Sequence, residues 1–176
     1  NSGGIALESF LEATEALKKG EIDILVTAPF NKSTIQRKKY KFSGHTGYLN
    51  QELKGESMML MVSDKMKIAL MSEHVPIKEV SKGLSRVAIT KKIKKLSNTL
   101  KLDFGIINPR IAVLGINPHA SDSGLIGDEE ENIIEPVIKE LKAKGETVYG
   151  PFSADGFFGN YEHLNFDAIL AMYHDQ

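Results

Sequence analysis

Three of the five histidines share a position that could do chemistry, because each follows a segment typical of a buried β-strand. His74 lies just after KIALMS, His119 lies beyond RIAVLG, and His174 directly follows ILAMY. In open α/β sheets, ligands bind beyond the carboxyl ends of the strands, so three such ends can bring their imidazoles to one ion. Three neutral imidazoles suit zinc and other divalent cations. The sequence predicts a three-histidine metal site, and the alternative is three polar residues where the chain turns toward water.

The other two histidines have different surroundings. His45 and Thr46 lie between two glycines in SGHTGYL, where the backbone can approach a ligand closely and two side chains offer hydrogen bonds. His163, in NYEHLNF, follows no strand, and we expect it to lie at the surface or to cap a helix. The run TAPFNK places three polar residues, Thr27, Asn31 and Lys32, at the carboxyl end of another strand-like segment. Lys32 could meet a phosphate or a carboxylate, although a solvated lysine is the more frequent outcome.

Composition and charge exclude several classes of protein. The 176 residues include 41% hydrophobic and 26% charged side chains, which is typical of a globular protein. The net charge of −1 gives no excess of positive charge that would attract nucleic acid or an anionic membrane. With no cysteine there is no disulfide, zinc finger or thiol catalysis, which suits a cytosolic enzyme. The run SDSGLIG lacks the spacing of a P-loop or of the GxGxxG fingerprint, so the sequence shows no nucleotide site.

Three helices are predicted from the spacing of apolar side chains, at residues 4–19, 85–102 and 128–144. Ser2 is the predicted cap of the first helix, and Pro136 should kink the third or split off its first turn. The acidic run at residues 128–131 is expected to favour the N-terminal dipole of the third helix. In the second helix, the side chains predicted to face inward are Val87, Ile93, Leu96 and Leu100.

Short apolar runs predict five strands, at residues 22–27, 58–63, 67–72, 110–115 and 167–173. The second and third should form a hairpin, whereas residues 152–158 are typical of a loop and residues 28–53 of a loop-rich stretch with one or two short helices. This alternation predicts an α/β fold, in which helices flank a mixed, mostly parallel sheet with at least one antiparallel pair. The chain ends directly after a strand and opens without Met, so we expect it to be part of a larger protein.

Several motifs resemble those of one enzyme family. They are TAPFNKSTI, FSGHTGYL, SEHVPI, INPHASDSGLIGDEE, GPFSAD and AMYHDQ, and they extend over nearly the whole chain. Their order and spacing are similar to those of the 4-hydroxythreonine-4-phosphate dehydrogenases, the NAD-dependent enzymes of pyridoxal phosphate (vitamin B6) synthesis. The resemblance implies a fold like that of the isocitrate and isopropylmalate dehydrogenases. It also implies a homodimer whose active sites lie at the subunit interface.

The resemblance further implies roles for individual residues. By their positions in these motifs, they are His74, His119 and His174 as metal ligands, His45 and Thr46 as substrate contacts, and Asp155 and Asp175 as catalytic acidic residues. The implied cofactors are NAD and a divalent cation, which is zinc, magnesium or cobalt. His163 matches no functional position, and no residue of this chain is identified as an NAD contact.

The implied reaction is the cytoplasmic oxidation of 4-(phosphooxy)-L-threonine to 2-amino-3-oxo-4-phosphooxybutanoate, which loses carbon dioxide to give 3-amino-2-oxopropyl phosphate. One alternative substrate is a related sugar-acid phosphate, such as threonate or erythronate 4-phosphate. The family's GDPxGIGPE-type opening motif and the segment after HDQ are absent. Residues 1–176 therefore correspond to the central portion of a two-domain dehydrogenase, including its dimerisation region. A second alternative is an inactive metal-binding and dimerisation module. Neither nucleic acid nor a membrane is an expected partner.

Overall fold

The computed structural model describes residues 2–29, 44–53 and 55–176 of the chain. These residues divide into two units, Asn1–Ser57 and Met58–Gln176. Lys32 and the rest of residues 30–43 lie outside the described residues, so the role predicted for Lys32 stays a prediction. Within the described ranges, no helix is both long enough and apolar enough to cross a bilayer.

The described part of the first unit contains two helices, α1 (Ser2–Lys19) and α2 (His45–Glu52). The first confirms the predicted helix, although it already includes Ser2, and Phe10 lies on its buried face. The predicted buried strand at residues 22–27 is wrong, because this segment has no strand pairing and Val26 is 88% exposed. A strand satisfies its backbone groups by pairing with a neighbour, and the described residues of this unit contain no other strand.

One five-stranded sheet forms the centre of the second unit. Its strands are β1 (Leu60–Val62), β2 (Lys67–Leu70), β3 (Ile111–Leu114), β4 (Val148–Phe152) and β5 (Ala168–Ala171). Their order across the sheet is β1-β2-β5-β3-β4, with β1 antiparallel to β2 and every other neighbouring pair parallel. The hairpin and the mixed, mostly parallel sheet are therefore confirmed.

Four α-helices lie in the described part of this unit: α3 (Ile77–Val80), α4 (Arg86–Leu102), α5 (Glu135–Ala143) and α6 (Ala154–Gly159). The second of the predicted helices is confirmed as α4, and the Ser85 hydroxyl caps it by accepting a hydrogen bond from the Ala88 N–H at 3.2 Å. Its apolar buried side chains are Ile89, Ile93, Leu96 and Leu100. Val87 lies off this stripe and is 79% exposed, so its predicted inward position is wrong.

The third predicted helix is confirmed in two parts. A π-helical turn, Glu130–Ile134, precedes α5, and Pro136 lies in the first turn of α5. Proline lacks an N–H donor, so it is tolerated at the start of a helix but not in its interior. The backbone stays helical through Ile134 and Glu135, so the two parts differ in their hydrogen-bond pattern and are not separated by a break.

The strand β4 is absent from the predicted elements, and the loop predicted at residues 152–158 is wrong. Phe152 ends β4, and α6 begins two residues later. Gly150 and Pro151 interrupt the apolar pattern of this segment, so it does not resemble a strand. Because β4 is an edge strand, the missing N–H of Pro151 can be accommodated there.

Side chains of the sheet alternate between two buried clusters. Ile111, Val113 and Leu170 pack on the face covered by α4 and α5. Ala112 and Ile169 point to the opposite face, where α6 packs. With helices on both faces, the sheet exposes its functional groups at the ends of its strands.

Candidate functional site

The three strands that precede the predicted metal ligands are neighbours in the sheet. β5 lies between β2 and β3 and is parallel to both. Parallel strands present their carboxyl ends at one edge of a sheet, so the segments that carry His74, His119 and His174 all leave that edge. All three histidines are exposed.

His74 and His174 lie beside one another. Their ring centroids are 5.9 Å apart and their ring planes are inclined by 40°. The two segments are joined where the Ser72 hydroxyl donates to the carbonyl oxygen of Met172 at 2.6 Å. Nδ1 of His174 also lies 3.2 Å from the carboxylate of Asp175. In the neutral tautomer that carries its proton on Nδ1, His174 donates to this carboxylate and keeps the lone pair of Nε2 for a ligand.

His119 lines a depression of about 570 Å³, together with Asp155 and Gln176. The pKa of Asp155 lies below its ordinary value, mainly because the Ser153 hydroxyl donates a hydrogen bond to its carboxylate and next because the Gly156 N–H does so. A positive charge on His119, when that imidazole is protonated, lowers the pKa of Asp155 further. Asp155 is therefore a carboxylate at neutral pH and lies on the same surface as one of the predicted ligands.

The donors at this edge suit a divalent cation, because imidazole nitrogen is a preferred ligand of zinc and cobalt. In the part of the chain that the structure describes, however, no three His, Asp or Glu side chains form a group that could hold a metal ion. His74 and His174 are side by side, and His119 lies at the end of the next strand along. Ligation by all three requires a closer approach of these side chains than the structure shows.

Gln176 ties two of the strand ends together. Its side-chain N–H donates to the carbonyl oxygen of Gly115 at 2.5 Å, and its side-chain oxygen accepts from the N–H of Met172 at 2.6 Å. Gly115 directly follows β3, and Met172 directly follows β5. Neither Gln176 nor Ser72 is among the site residues predicted from the sequence. The only local signal is a polar side chain shortly after a strand, and its partner depends on the order of the strands.

The predicted substrate contacts lie in the first unit, where His45 and Thr46 begin α2. Gly44 precedes them with a φ of +104°, a conformation that favours glycine. The half-buried ring of His45 packs edge-on against Phe10 with centroids 5.0 Å apart, whereas Thr46 is exposed. His45 and Thr27 share a mainly apolar depression of about 280 Å³.

His163 contributes to packing and does not cap a helix. It lies within a 3-10 turn, Glu162–Asn165, and is half-buried. Its ring centroid is 5.7 Å from that of Phe158. The expectation of a surface or capping residue is therefore wrong, because the neighbouring aromatic ring covers the imidazole.

The whole chain matches one protein family. The family is described as the pyridoxal phosphate biosynthetic protein PdxA, and the match covers residues 1–176. The chain belongs to the PdxA family. It is 45% identical over 177 residues to the 4-hydroxythreonine-4-phosphate dehydrogenase of Bacteroides thetaiotaomicron, covering 99% of this chain and 49% of that protein. It is 40% identical over 176 residues to the protein of the same name from a Sulfurihydrogenibium species, covering 98% of this chain and 54% of that protein. The chain thus spans about half the length of these curated relatives.

Solved structures show the same fold. The 4-hydroxythreonine-4-phosphate dehydrogenase of Klebsiella pneumoniae matches with a TM-score of 0.87 and 32% identity, over 98% of this chain and 52% of that one. A terephthalate 1,2-cis-dihydrodiol dehydrogenase of Burkholderia xenovorans matches with a TM-score of 0.75 and 28% identity, over 98% of this chain and 55% of that one. These matches confirm the predicted α/β class and its likeness to the isocitrate and isopropylmalate dehydrogenases.

Proposed function

We propose that the whole protein carrying this chain oxidises 4-(phosphooxy)-L-threonine with NAD to 2-amino-3-oxo-4-phosphooxybutanoate. Loss of carbon dioxide then gives 3-amino-2-oxopropyl phosphate. The observation that carries this proposal is the PdxA family match over residues 1–176, with relatives that bear the name of this enzyme. Three histidine-bearing segments at one sheet edge support it independently. Pyridoxine synthesis in the cytoplasm is the proposed setting.

In this proposal, His74, His119 and His174 would hold a divalent cation, which is zinc, magnesium or cobalt. When bound, such a cation acts as a Lewis acid toward an alcohol or ketone oxygen, lowering the pKa of the alcohol. Asp175 accepts from Nδ1–H of His174 and so fixes the ring with Nε2 free for ligation. This contact gives Asp175 a positioning role at the site.

Asp155, His45 and Thr46 act on the substrate in this proposal. Asp155 is ionised at neutral pH and lines the same depression as His119, so its negative charge can pair with the substrate's amino group. The imidazole of His45 and the hydroxyl of Thr46 orient the substrate by hydrogen bonding, and their contribution to the rate comes through positioning.

NAD and a second copy of the chain complete the proposal. NAD is the hydride acceptor when bound, and because the sequence carries no GxGxxG fingerprint we assign it no residues in this chain. The dimer is supported by the edge strand β1, on which Val62 is 55% exposed. An edge strand with exposed apolar side chains is a surface that proteins usually cover.

The substrate is tested by following NADH formation with the whole protein, NAD and a divalent cation. We expect turnover with 4-(phosphooxy)-L-threonine to exceed turnover with threonate 4-phosphate and erythronate 4-phosphate. These sugar acids are the second candidate, because they replace the amino group by a hydroxyl while keeping the phosphate and the oxidised alcohol. Faster turnover of either sugar-acid phosphate would contradict the proposal that 4-(phosphooxy)-L-threonine is the substrate.

The metal ligands are tested by cobalt binding to the whole protein. Replacing His74, His119 or His174 with alanine should each weaken cobalt binding sharply, because each removes one donor. His163→Ala is the matched control, since that imidazole packs against Phe158. Equal losses at all four positions would indicate misfolding and would count against the proposed ligand set.

The remaining alternative is an inactive module, and it concerns residues 1–176 alone. We expect this polypeptide to bind NAD negligibly, because none of its residues is identified as an NAD contact. We also expect no turnover, because hydride transfer needs the nicotinamide held against the substrate carbon. Calorimetry with NAD and an NADH assay on the purified polypeptide provide the measurement. NADH formation by residues 1–176 would show that the chain carries a complete site.

A further inference from the structure

Glu130 is a charged side chain at a position where its helix otherwise contributes to the core. It lies on the same helical stripe as Ile134, Val137 and Leu141, and none of its surface is exposed. Burying a carboxylate is unfavourable unless hydrogen bonds replace its water. The carboxylate of Glu130 therefore needs hydrogen-bond donors, and these donors identify the segment that it fixes in place.

The partners of Glu130 belong to the segment that follows β3. Its Oε1 accepts from the backbone N–H groups of Ile116 and Asn117 at 2.7 and 2.8 Å. Its Oε2 accepts from the side-chain amide of Asn117 at 2.8 Å. One buried carboxylate thus holds two consecutive peptide groups directly before Pro118 and His119.

Two glycines make room for these contacts. A Cβ on Gly115 would lie 2.9 Å from Oε1 of Glu130, and a Cβ on Gly127 would lie 2.4 Å from Nδ2 of Asn117. A side chain at either position would displace the carboxylate or the amide. The close approach of the two segments is therefore built into the sequence on both sides of the His119 turn.

The segment held in this way is conformationally strained. Residues 119–123 all have positive φ values, from 46° to 72°, and none of them is glycine. The left-handed region is unfavourable for residues with a Cβ, and such a run persists only where its surroundings enforce it. The hydrogen bonds of Glu130 fix the entry to the turn. The N–H of Ile126, which donates to the Ser121 carbonyl at 2.9 Å, closes it.

We propose that Glu130 is a positioning residue for His119. By fixing residues 116–117, its carboxylate holds the strained turn and sets where the imidazole lies. Gln176 joins the neighbouring Gly115 to the strand end that carries His174, so the same anchor also fixes His119 relative to a second histidine. This inference rests on the proposed function, because it connects Glu130 to the three-histidine site. Glu130 acts through the backbone and is not itself a ligand.

The test compares Glu130→Gln with Glu129→Gln in the whole protein. Both changes remove one negative charge from the same turn. Glu129 accepts from the Asn117 side chain at 2.7 Å, whereas the backbone N–H groups are held by Glu130. A carboxamide at position 130 keeps only one oxygen, now uncharged, for the two backbone N–H groups, and its NH2 group faces the donating side chain of Asn117. Hydrogen bonds to an uncharged acceptor are weaker, so the hold on residues 116–117 is weaker. Cobalt affinity should therefore fall about tenfold to a hundredfold in Glu130→Gln, while Glu129→Gln stays near the wild-type value.

Amide hydrogen exchange in the metal-free protein gives a second readout. The amides of Ile116 and Asn117 should exchange slowly in the wild type and in Glu129→Gln, and faster in Glu130→Gln. Unprotected amides in the wild type would overturn the inference even if Glu130→Gln did not fold. Unchanged cobalt affinity in a folded Glu130→Gln, when His119→Ala lowers it, would overturn the inference alone. A wild-type protein that binds no cobalt would overturn the proposed three-histidine metal site and this inference with it, whereas the proposed oxidation is tested separately by NADH formation.

Discussion

Gly150 is a position where one added methyl group should disrupt the sheet. Its φ is +124°, and a Cβ there would lie 2.3 Å from the carbonyl oxygen of Val113. Val113 is fully buried in β3 and pairs with Leu170 of β5, so its carbonyl cannot move away without disturbing the centre of the sheet. Gly150→Ala should therefore destabilise the folded protein.

The size of this effect follows from two physical causes. Overpacking of a well-packed core typically costs about 1–3 kcal/mol. A residue other than glycine in a sparsely populated backbone region costs about 1–3 kcal/mol. Because one small backbone shift relieves part of both, we expect a loss of about 3 kcal/mol in the free energy of unfolding. Native proteins have a total stability of only about 5–15 kcal/mol, so this loss is large.

The assay is urea unfolding of the wild type and the variant, followed by circular dichroism. Gly156→Ala, in α6, is the matched control, because a Cβ there would meet nothing within 4 Å. We expect this control to be neutral or more stable by about 0.5–1 kcal/mol, since alanine favours a helix over glycine. A loss in Gly150→Ala no larger than that of the control would refute the reasoning, because neither the close contact nor the positive φ would then matter.

Three further outcomes are expected. Ile89→Ala should lower the free energy of unfolding by about 2–4 kcal/mol because it opens a cavity in the core. Val87→Ala should change it by less than about 0.5 kcal/mol, and equal effects in urea unfolding would contradict the assignment of Ile89 to the buried face of α4 and of Val87 to its exposed face. Ser153→Ala should raise the pKa of Asp155 toward its ordinary value, so that this carboxylate is protonated at a higher pH than in the wild type; an unchanged NMR titration of Asp155 would contradict the assigned cause. The 176-residue chain should be a dimer in solution, and a light-scattering mass near 19.4 kDa would contradict this.

The parts of the fold that could be predicted are those that local patterns decide. The helix after Ser85 has a cap and a long apolar stripe, and the hairpin has two apolar runs joined by a polar turn. Residues 22–27 have an equally apolar run, but a strand also needs a neighbour, which no local pattern reveals. For strand β4 the error is the opposite one, since a real strand is not predicted. Its proline is untypical of a strand, but the position of β4 at the sheet edge tolerates it.

The candidate site divides in a similar way. His74, His119 and His174 could be selected from their places after strands, because the carboxyl edge of a sheet is a general binding position. The contacts that hold their segments could not be predicted, because Ser72 and Gln176 reach partners that are adjacent only through the strand order. That order places the last strand between two earlier ones, and no property of single segments specifies it.

The position of Glu130 in the sequence is informative, but the usual rule for acidic residues at a helix start gives it the wrong explanation. An acidic residue at the start of a helix is usually explained by the helix dipole, and the run at residues 128–131 fits that explanation. Glu130, however, lies on the stripe of Ile134, Val137 and Leu141, where a solvated charge has no place. A charged residue on a buried stripe must find donors in another segment. Its position therefore indicates a long-range contact, here to Ile116.

The three histidine-bearing segments are thus connected through main-chain groups instead of through the imidazoles themselves. Ser72 binds the backbone after β5, Gln176 binds the backbone after β3 and β5, and Glu130 binds the backbone after β3. Substitutions in these connecting side chains leave every donor in place and change only the distances between donors. Metal affinity depends steeply on those distances, whereas the overall fold rests on the apolar contacts of the sheet. Loss of cobalt binding without loss of folding is therefore the result that distinguishes a connecting residue from a ligand or a core residue.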